Sequence, residues 1–312
     1  MRKPGLSTVL ALTIAIIAIS SSAPMIAYCA APALAIAFWR NALGVAAIAP
    51  FAAARQRTEL RALIGPGERR ALLGCVLAGL WLAVHFGTWV PSAKLTNAAM
   101  ATALVNTTPV WTALLAVLRR VHVPVVTWVG IGISLAGTAL AAGLDIHVSP
   151  HALLGDGLAL AGGFAAAVYT TIGERVRASV STTAYTLICY SVCAVVLLGV
   201  SLIGGVRLHG YTGVTWLLIL AMTAGPQLLG HSLFNFSLKR VSATTIAVLL
   251  LLEVPGAAFI AWLFLGQLPA ARTVPGLVLL IAGVAVVLVG SSRRPQPTKG
   301  GTTISPEAIA TT

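Results

Sequence analysis

Acidic side chains are scarce in this sequence, with seven Asp and Glu in 312 residues, and charged residues of every kind reach only 9%. Soluble domains carry about 25% charged residues, so water is excluded as the solvent for most of this chain. Cysteine is scarce as well. Cys29, Cys75, Cys189 and Cys193 all lie inside apolar blocks, with no CxxC spacing and no His at ligand distance. Buried cysteine usually acts as a small hydrophobe, so neither disulfides nor a metal site is expected. Long polar linkers are missing too, which leaves no room for a soluble domain beside the apolar blocks.

What the chain has is hydrophobic length: 58% of residues are hydrophobic and mean hydropathy is +0.96. Crossing a hydrocarbon core of about 30 Å takes about 20 apolar residues per helix. The blocks predict ten spans, at 6–25, 33–53, 71–91, 97–118, 124–143, 153–173, 182–203, 214–236, 243–265 and 273–291. The first resembles a signal peptide, with Arg2 and Lys3 ahead of an apolar run. It is read as a retained span, because a matching block at Gly155–Glu174 would otherwise lack its counterpart. The tail, 292–312, is rich in Pro, Thr and Gly and is expected to be disordered and cytoplasmic.

The net charge of +13 does not point to nucleic acid, because the basic residues form small clusters between apolar blocks. With ten spans, one side of the membrane receives Arg2, Lys3, Arg55, Arg57, Arg61, Arg69, Arg70, Arg119, Arg120, Arg175, Arg177, Lys239, Arg240, Arg293, Arg294 and Lys299. The other side receives Lys94, Arg207 and Arg272, with Asp145 beside them. Sixteen basic residues against three predict that both termini are cytoplasmic.

The spans repeat. Setting Leu73–Gly143 above Ile219–Val289, 146 positions on, aligns His85 with His231, Pro109 with Pro255, Gly130 with Gly276 and Ala136-Gly137 with Ala282-Gly283. Scarce residue types coinciding in one register mark an internal duplication. An odd number of spans per copy makes the second copy enter the membrane inverted, the topology of many secondary transporters. It also sets the two histidines at mirrored depths.

The stretch "GHSLFNFSLKRVSATTIAVLLLLEVPGAAFIAWLFLGQ", with "GLVLLIAGVAVVLVG" after it, resembles the second EamA repeat of the drug/metabolite transporter superfamily. "LAVHFGTWVPSAKLTNAAMATALVNTTPVWTALLA" with "GIGISLAGTAL" resembles the first. The resemblance implies an all-α integral membrane protein of ten helices in two inverted five-helix repeats, at 6–143 and 152–291. It further implies an alternating-access carrier with a central cavity and with the fifth and tenth spans peripheral. Where the family often ends its fourth and ninth spans with Gly-Glu, this chain has Arg119-Arg120-Val121 and Gly266-Gln267.

Ionisable groups inside the spans are few, and each needs a partner or a wet cavity. Glu253 lies near the midplane, two residues before Pro255. It is read as a proton carrier or as a direct ligand for a cationic group, against a structural role bonding backbone loosened by the proline. Arg40 is read as a clamp for a substrate carboxylate, against a structural pair with Glu253 or snorkelling toward the surface. Gln227, His231 and Asn235, four apart, form a polar stripe whose counterpart in the first copy is Trp81, His85 and Trp89. Either histidine can instead serve a helix-to-helix hydrogen bond. Asn106 and Thr107 precede Pro109, and Thr107 aligns with Glu253. Both prolines free a carbonyl four residues back, at Val105 and Leu251, and are read as hinges or plain kinks. Tyr169 and Tyr190 are weaker cavity candidates, and Gly162-Gly163 reads as a site of close helix packing.

Together these predict an inner-membrane secondary carrier that exports a small metabolite, amino acid or drug-like solute, with proton coupling through Glu253. Its partners are the bilayer, a small-molecule substrate and, in one arrangement, a second copy of the chain; no cofactor is expected. An intramembrane enzyme would need a nucleophile with its base or a metal set, and a non-transporting scaffold would have no use for paired proline breaks.

Overall fold

A computed structural model describes residues 5–292 except 66, 97, 144–148, 267 and 269. Arg2, Lys3, Asp145, Gln267 and the tail from residue 293 lie outside the described residues. All regular structure among the described residues is helical, as hydrocarbon demands of a chain that must pair its own backbone. Among the described residues, nine helices are long and apolar enough to cross a bilayer, and Val274–Gly290 is a shorter apolar one.

In chain order the spans are Leu6–Tyr28, Ala33–Arg55, Arg69–Leu95, Ala99–Leu118, Val125–Ala142, Pro150–Val176, Thr182–Ile203, Gly213–Ser237, Ala243–Ile260 and Val274–Gly290. A short helix, Arg57–Ile64, joins the second to the third. Serine and threonine side chains start four spans of the second copy. Ser149, Ser181, Thr212 and Ser242 each accept a hydrogen bond from the backbone N–H three residues on, filling one of the donors left bare at a helix start.

Among the described residues, three spans are broken within their length. The first breaks at Ser21. The fourth runs Ala98–Val105 and restarts as Thr108–Leu118; the ninth runs Ala243–Leu250 and restarts as Glu253–Leu265. Pro109 and Pro255 sit early in the restarted helices, where the missing N–H costs nothing.

Packing between the copies follows their equivalence. The third span lies along the sixth and the first along the eighth, which is one contact seen from each copy. The second pairs with the seventh, the fourth with the ninth and the fifth with the tenth, so each of these spans meets its own counterpart. At the last pair the glycines explain the approach. A Cβ on Gly130 would stand 2.8 Å from the Gly283 carbonyl oxygen, and one on Gly276 2.8 Å from that of Gly137. Gly130 and Gly276 are equivalent residues, as are Gly137 and Gly283. The crossing is therefore antiparallel and symmetric, as opposite insertion of two like units requires. Ser134 Oγ adds a bond to the Leu280 carbonyl at 3.3 Å, again between equivalent positions. Neither span contributes to the central cavity described below.

Candidate functional site

The helix breaks converge on one cavity. It leaves about 60 Å³ open to a water-sized sphere, well below the roughly 300–1,000 Å³ of sites that hold a small molecule. Ser22 comes from the break in the first span, Asn106 and Thr108 from that in the fourth, and Glu253 from that in the ninth. The unbroken third and sixth spans add His85 and Trp89, then Tyr169 and Thr170; the eighth adds His231 and Asn235.

The two histidines meet across the copies. Their ring centres are 6.2 Å apart, and Phe86 stands edge-on to His231 at 5.1 Å. His85 Nδ1 lies 2.9 Å from the Gly162 carbonyl. A carbonyl only accepts, so Nδ1 carries the proton and Nε2 of the neutral ring is left as an acceptor. Trp89 stacks parallel to His85 at 5.8 Å. Gly162 lets the third span come this near, since a Cβ there would stand 3.1 Å from Trp89 Cβ.

The eighth span departs from the expected stripe. Pro226 cannot donate to the carbonyl four residues back, and Thr223–His231 takes the wider π form, with the Ser232 N–H reaching the Gln227 carbonyl. The extra residue in that turn breaks the four-residue alignment. His231 and Asn235 stay on the cavity wall, whereas Gln227 does not line it. Gln227 is fully buried, its Oε1 accepting from Arg40 Nε at 3.1 Å and its Nε2 donating to Asn41 Oδ1 at 3.0 Å. Tyr190 donates to the Gln227 carbonyl at 3.0 Å, so it belongs to this network.

Arg40 likewise stands behind the wall. It is 0% exposed, lies 4.6 Å over the Phe86 ring, and donates through Nη1 to Ser22 Oγ at 3.2 Å. The snorkelling alternative is thereby ruled out. No ion pair within 4 Å joins Arg40 to Glu253, and the one such pair among the described residues joins Arg119 to Glu174 at 3.8 Å, but the two buried groups attract each other across a longer distance. Arg40 Nη2 is buried with no hydrogen-bond partner among the described residues, and its charge acts on His85, His231 and Glu253 of the wall.

Two further expected residues also miss the wall. Trp81 packs edge-on against Phe164 at 5.7 Å. Thr107 Oγ1 donates to the Leu104 carbonyl at 2.8 Å and accepts from Trp111 Nε1 at 3.2 Å. The carbonyls freed at the breaks are not bare either. Thr108 Oγ1 donates to Val105 at 2.7 Å, and the Val254 N–H reaches Leu251 at 3.2 Å.

Residues of the wall also carry buried polar atoms without a partner among the described residues: Trp89 Nε1, Asn106 Nδ2, Asn235 Nδ2 and Glu253 Oε1, none of them accessible to solvent. Each such group costs about 1–3 kcal/mol unless something pairs it. Four of them around one space make it a place for water or a polar solute. Asn235 is held in position by Tyr169, whose hydroxyl donates to Oδ1 at 2.5 Å. Thr108 stands with Asn106 and Thr107 ahead of Pro109 in the sequence, whereas Ser22 and Thr170 carry no such mark; the Ser20-Ser21-Ser22 run ahead of Pro24 is the available signal for the first break.

Comparison with known proteins agrees with this architecture. No curated protein matches the sequence. A solved crystal structure, titled only as that of a protein, superposes with a TM-score of 0.75 at 20% identity, covering 92% of this chain and 99% of its own. At that identity the likeness speaks for the fold. The sequence model of the EamA-like transporter family matches twice, over residues 5–143 and 153–289, on the two copies recognised by their spacing. The chain is a multi-pass membrane protein and belongs to the EamA-like transporter family.

Proposed function

We propose that this protein is a secondary-active carrier that exports a small polar organic solute, an amino acid or another metabolite of similar size, by alternating access at the central cavity. The observation that carries the reading is the ring of unpartnered donors and one unpartnered carboxylate oxygen contributed by both repeats. Such a wall suits a solute with an acceptor group for Trp89, Asn106 and Asn235 and a donor or cationic group for Glu253. Glu253 is 6% exposed, on a helix restart, and free of any ion pair among the described residues, which suits a carboxyl that trades a proton for solute. The arginine distribution supports an inner-membrane orientation with both termini in the cytoplasm. A carrier needs no nucleophile or cofactor, and the reading assigns none.

The test is metabolite profiling of cells lacking and overproducing the protein, followed by flux of the accumulating solute in proteoliposomes. Saturable counterflow of that solute, reduced by Asn235→Ala and Asn106→Ala, is the expected result. Flux that does not saturate, or that neither substitution changes, overturns the reading.

A further inference from the structure

The short helix Arg57–Ile64 carries a second binding surface, away from the cavity. Its rotation is fixed by its inner face. Leu63 is 4% exposed and belongs to the main core, with Leu60 packed against that core. Glu59 Oε1 accepts from the Ser181 backbone N–H at 2.7 Å, tying the helix to the second repeat. With that side engaged, Arg57, Arg61 and Ile64, at i, i+4 and i+7, share the opposite face. All three are exposed, Ile64 by 74%. Together with Leu60 and with Ala53 from the end of the second span they line a shallow groove.

Neither guanidinium has an ion pair or hydrogen bond with a described residue. The groove thus combines two free forked donors with an uncovered branched aliphatic side chain, at the point where the second span leaves the bilayer. Water satisfies the first and not the second; a phospholipid satisfies both. The guanidinium fork matches a phosphate through paired N–H bonds, and the apolar floor of Ala53, Leu60 and Ile64 suits the first methylenes of an acyl chain. The adjoining ends of the second and third spans add Arg55, Arg69 and Arg70, a potential that favours anionic over zwitterionic headgroups.

We propose that this groove binds one anionic phospholipid of the leaflet on the arginine-rich face, with its phosphate between Arg57 and Arg61. Because Glu59 couples the same helix to the loop before the seventh span, the bound lipid braces a contact between the two repeats.

The experiment uses the full-length protein in vesicles of phosphatidylcholine with or without phosphatidylglycerol, followed by native mass spectrometry of retained lipid. Wild type is expected to retain phosphatidylglycerol over phosphatidylcholine by about tenfold. Arg57→Gln/Arg61→Gln is expected to abolish that preference. Arg69→Gln/Arg70→Gln, an equal change of charge at the nearby start of the third span, is expected to keep it, and thermal melts establish that both variants fold. The proposal is overturned if wild type shows no preference. It is equally overturned if both double variants lose the preference alike, which is diffuse charge attraction, or if inorganic phosphate or an acidic peptide displaces the lipid at matched concentration.

Discussion

Arg40 and Gln227 come from opposite repeats, 187 positions apart, and meet at 3.1 Å in the buried space behind the cavity. The bond helps hold the guanidinium over Phe86, with Nη1 on Ser22 Oγ and Nη2 without a partner among the described residues. A hydrogen bond to a buried charged group contributes about 1.5–3 kcal/mol. Gln227→Leu should therefore lower stability by about that amount in a detergent melt. Arg40→Ala should fall further in Tm while binding carboxylate and amide versions of the substrate with an unchanged ratio. A ratio that shifts toward the amide would return Arg40 to the role of carboxylate clamp.

Glu253 gives a prediction about coupling. In proteoliposomes, Glu253→Gln should lose uptake driven by a pH gradient while keeping solute exchange at equal pH. Gradient-driven flux that survives the substitution would remove Glu253 from any proton pathway.

The glycine contacts between the fifth and tenth spans predict paired effects. Gly130→Ala and Gly276→Ala place a methyl in equivalent positions, each 2.8 Å from a carbonyl oxygen. Overpacking of this kind costs about 1–3 kcal/mol. The two variants should melt at similarly lowered temperatures. Gly132→Ala, which meets nothing within 4 Å, should melt with wild type.

The Arg119–Glu174 pair should matter little. At 3.8 Å with side chains 25% and 33% exposed, it is of the kind that contributes about 0–1 kcal/mol. Glu174→Gln should shift Tm by a degree or two at most in low salt and not at all in high salt.

Much of this architecture was legible in the residues. The ten apolar blocks, the register of 146 and the glycine positions all reflect strong local requirements: hydrocarbon length, backbone clearance and chain breaks. His85 and His231 were expected at mirrored depths, and the structure brings them together. The lateral arrangement was harder to read. Gln227, His231 and Asn235 looked like one stripe because four-residue spacing assumes an α-helix, and a single missing N–H at Pro226 changed the turn. Arg40 is read from depth and charge, which do not say which side of a helix faces a cavity, and Trp81 from its alignment with Gln227, which does not line the cavity either. Tyr169 received little weight because its role depends on Asn235, a residue 66 positions away.

The wide turn at Thr223–His231 has no twin. Where the second copy has Pro226 the first has Leu80, inside an uninterrupted α-helix over Arg69–Leu95. Were both halves identical, exchanging their shapes would turn a form open to one side into its mirror image at no cost, and the two would be equally populated. This irregularity, like the break at Ser21 that the sixth span lacks, works against that degeneracy. The unliganded protein should then rest mainly facing one compartment, and replacing Pro226 by Leu should move the balance toward even occupancy, as distances between spin labels on the two faces would reveal.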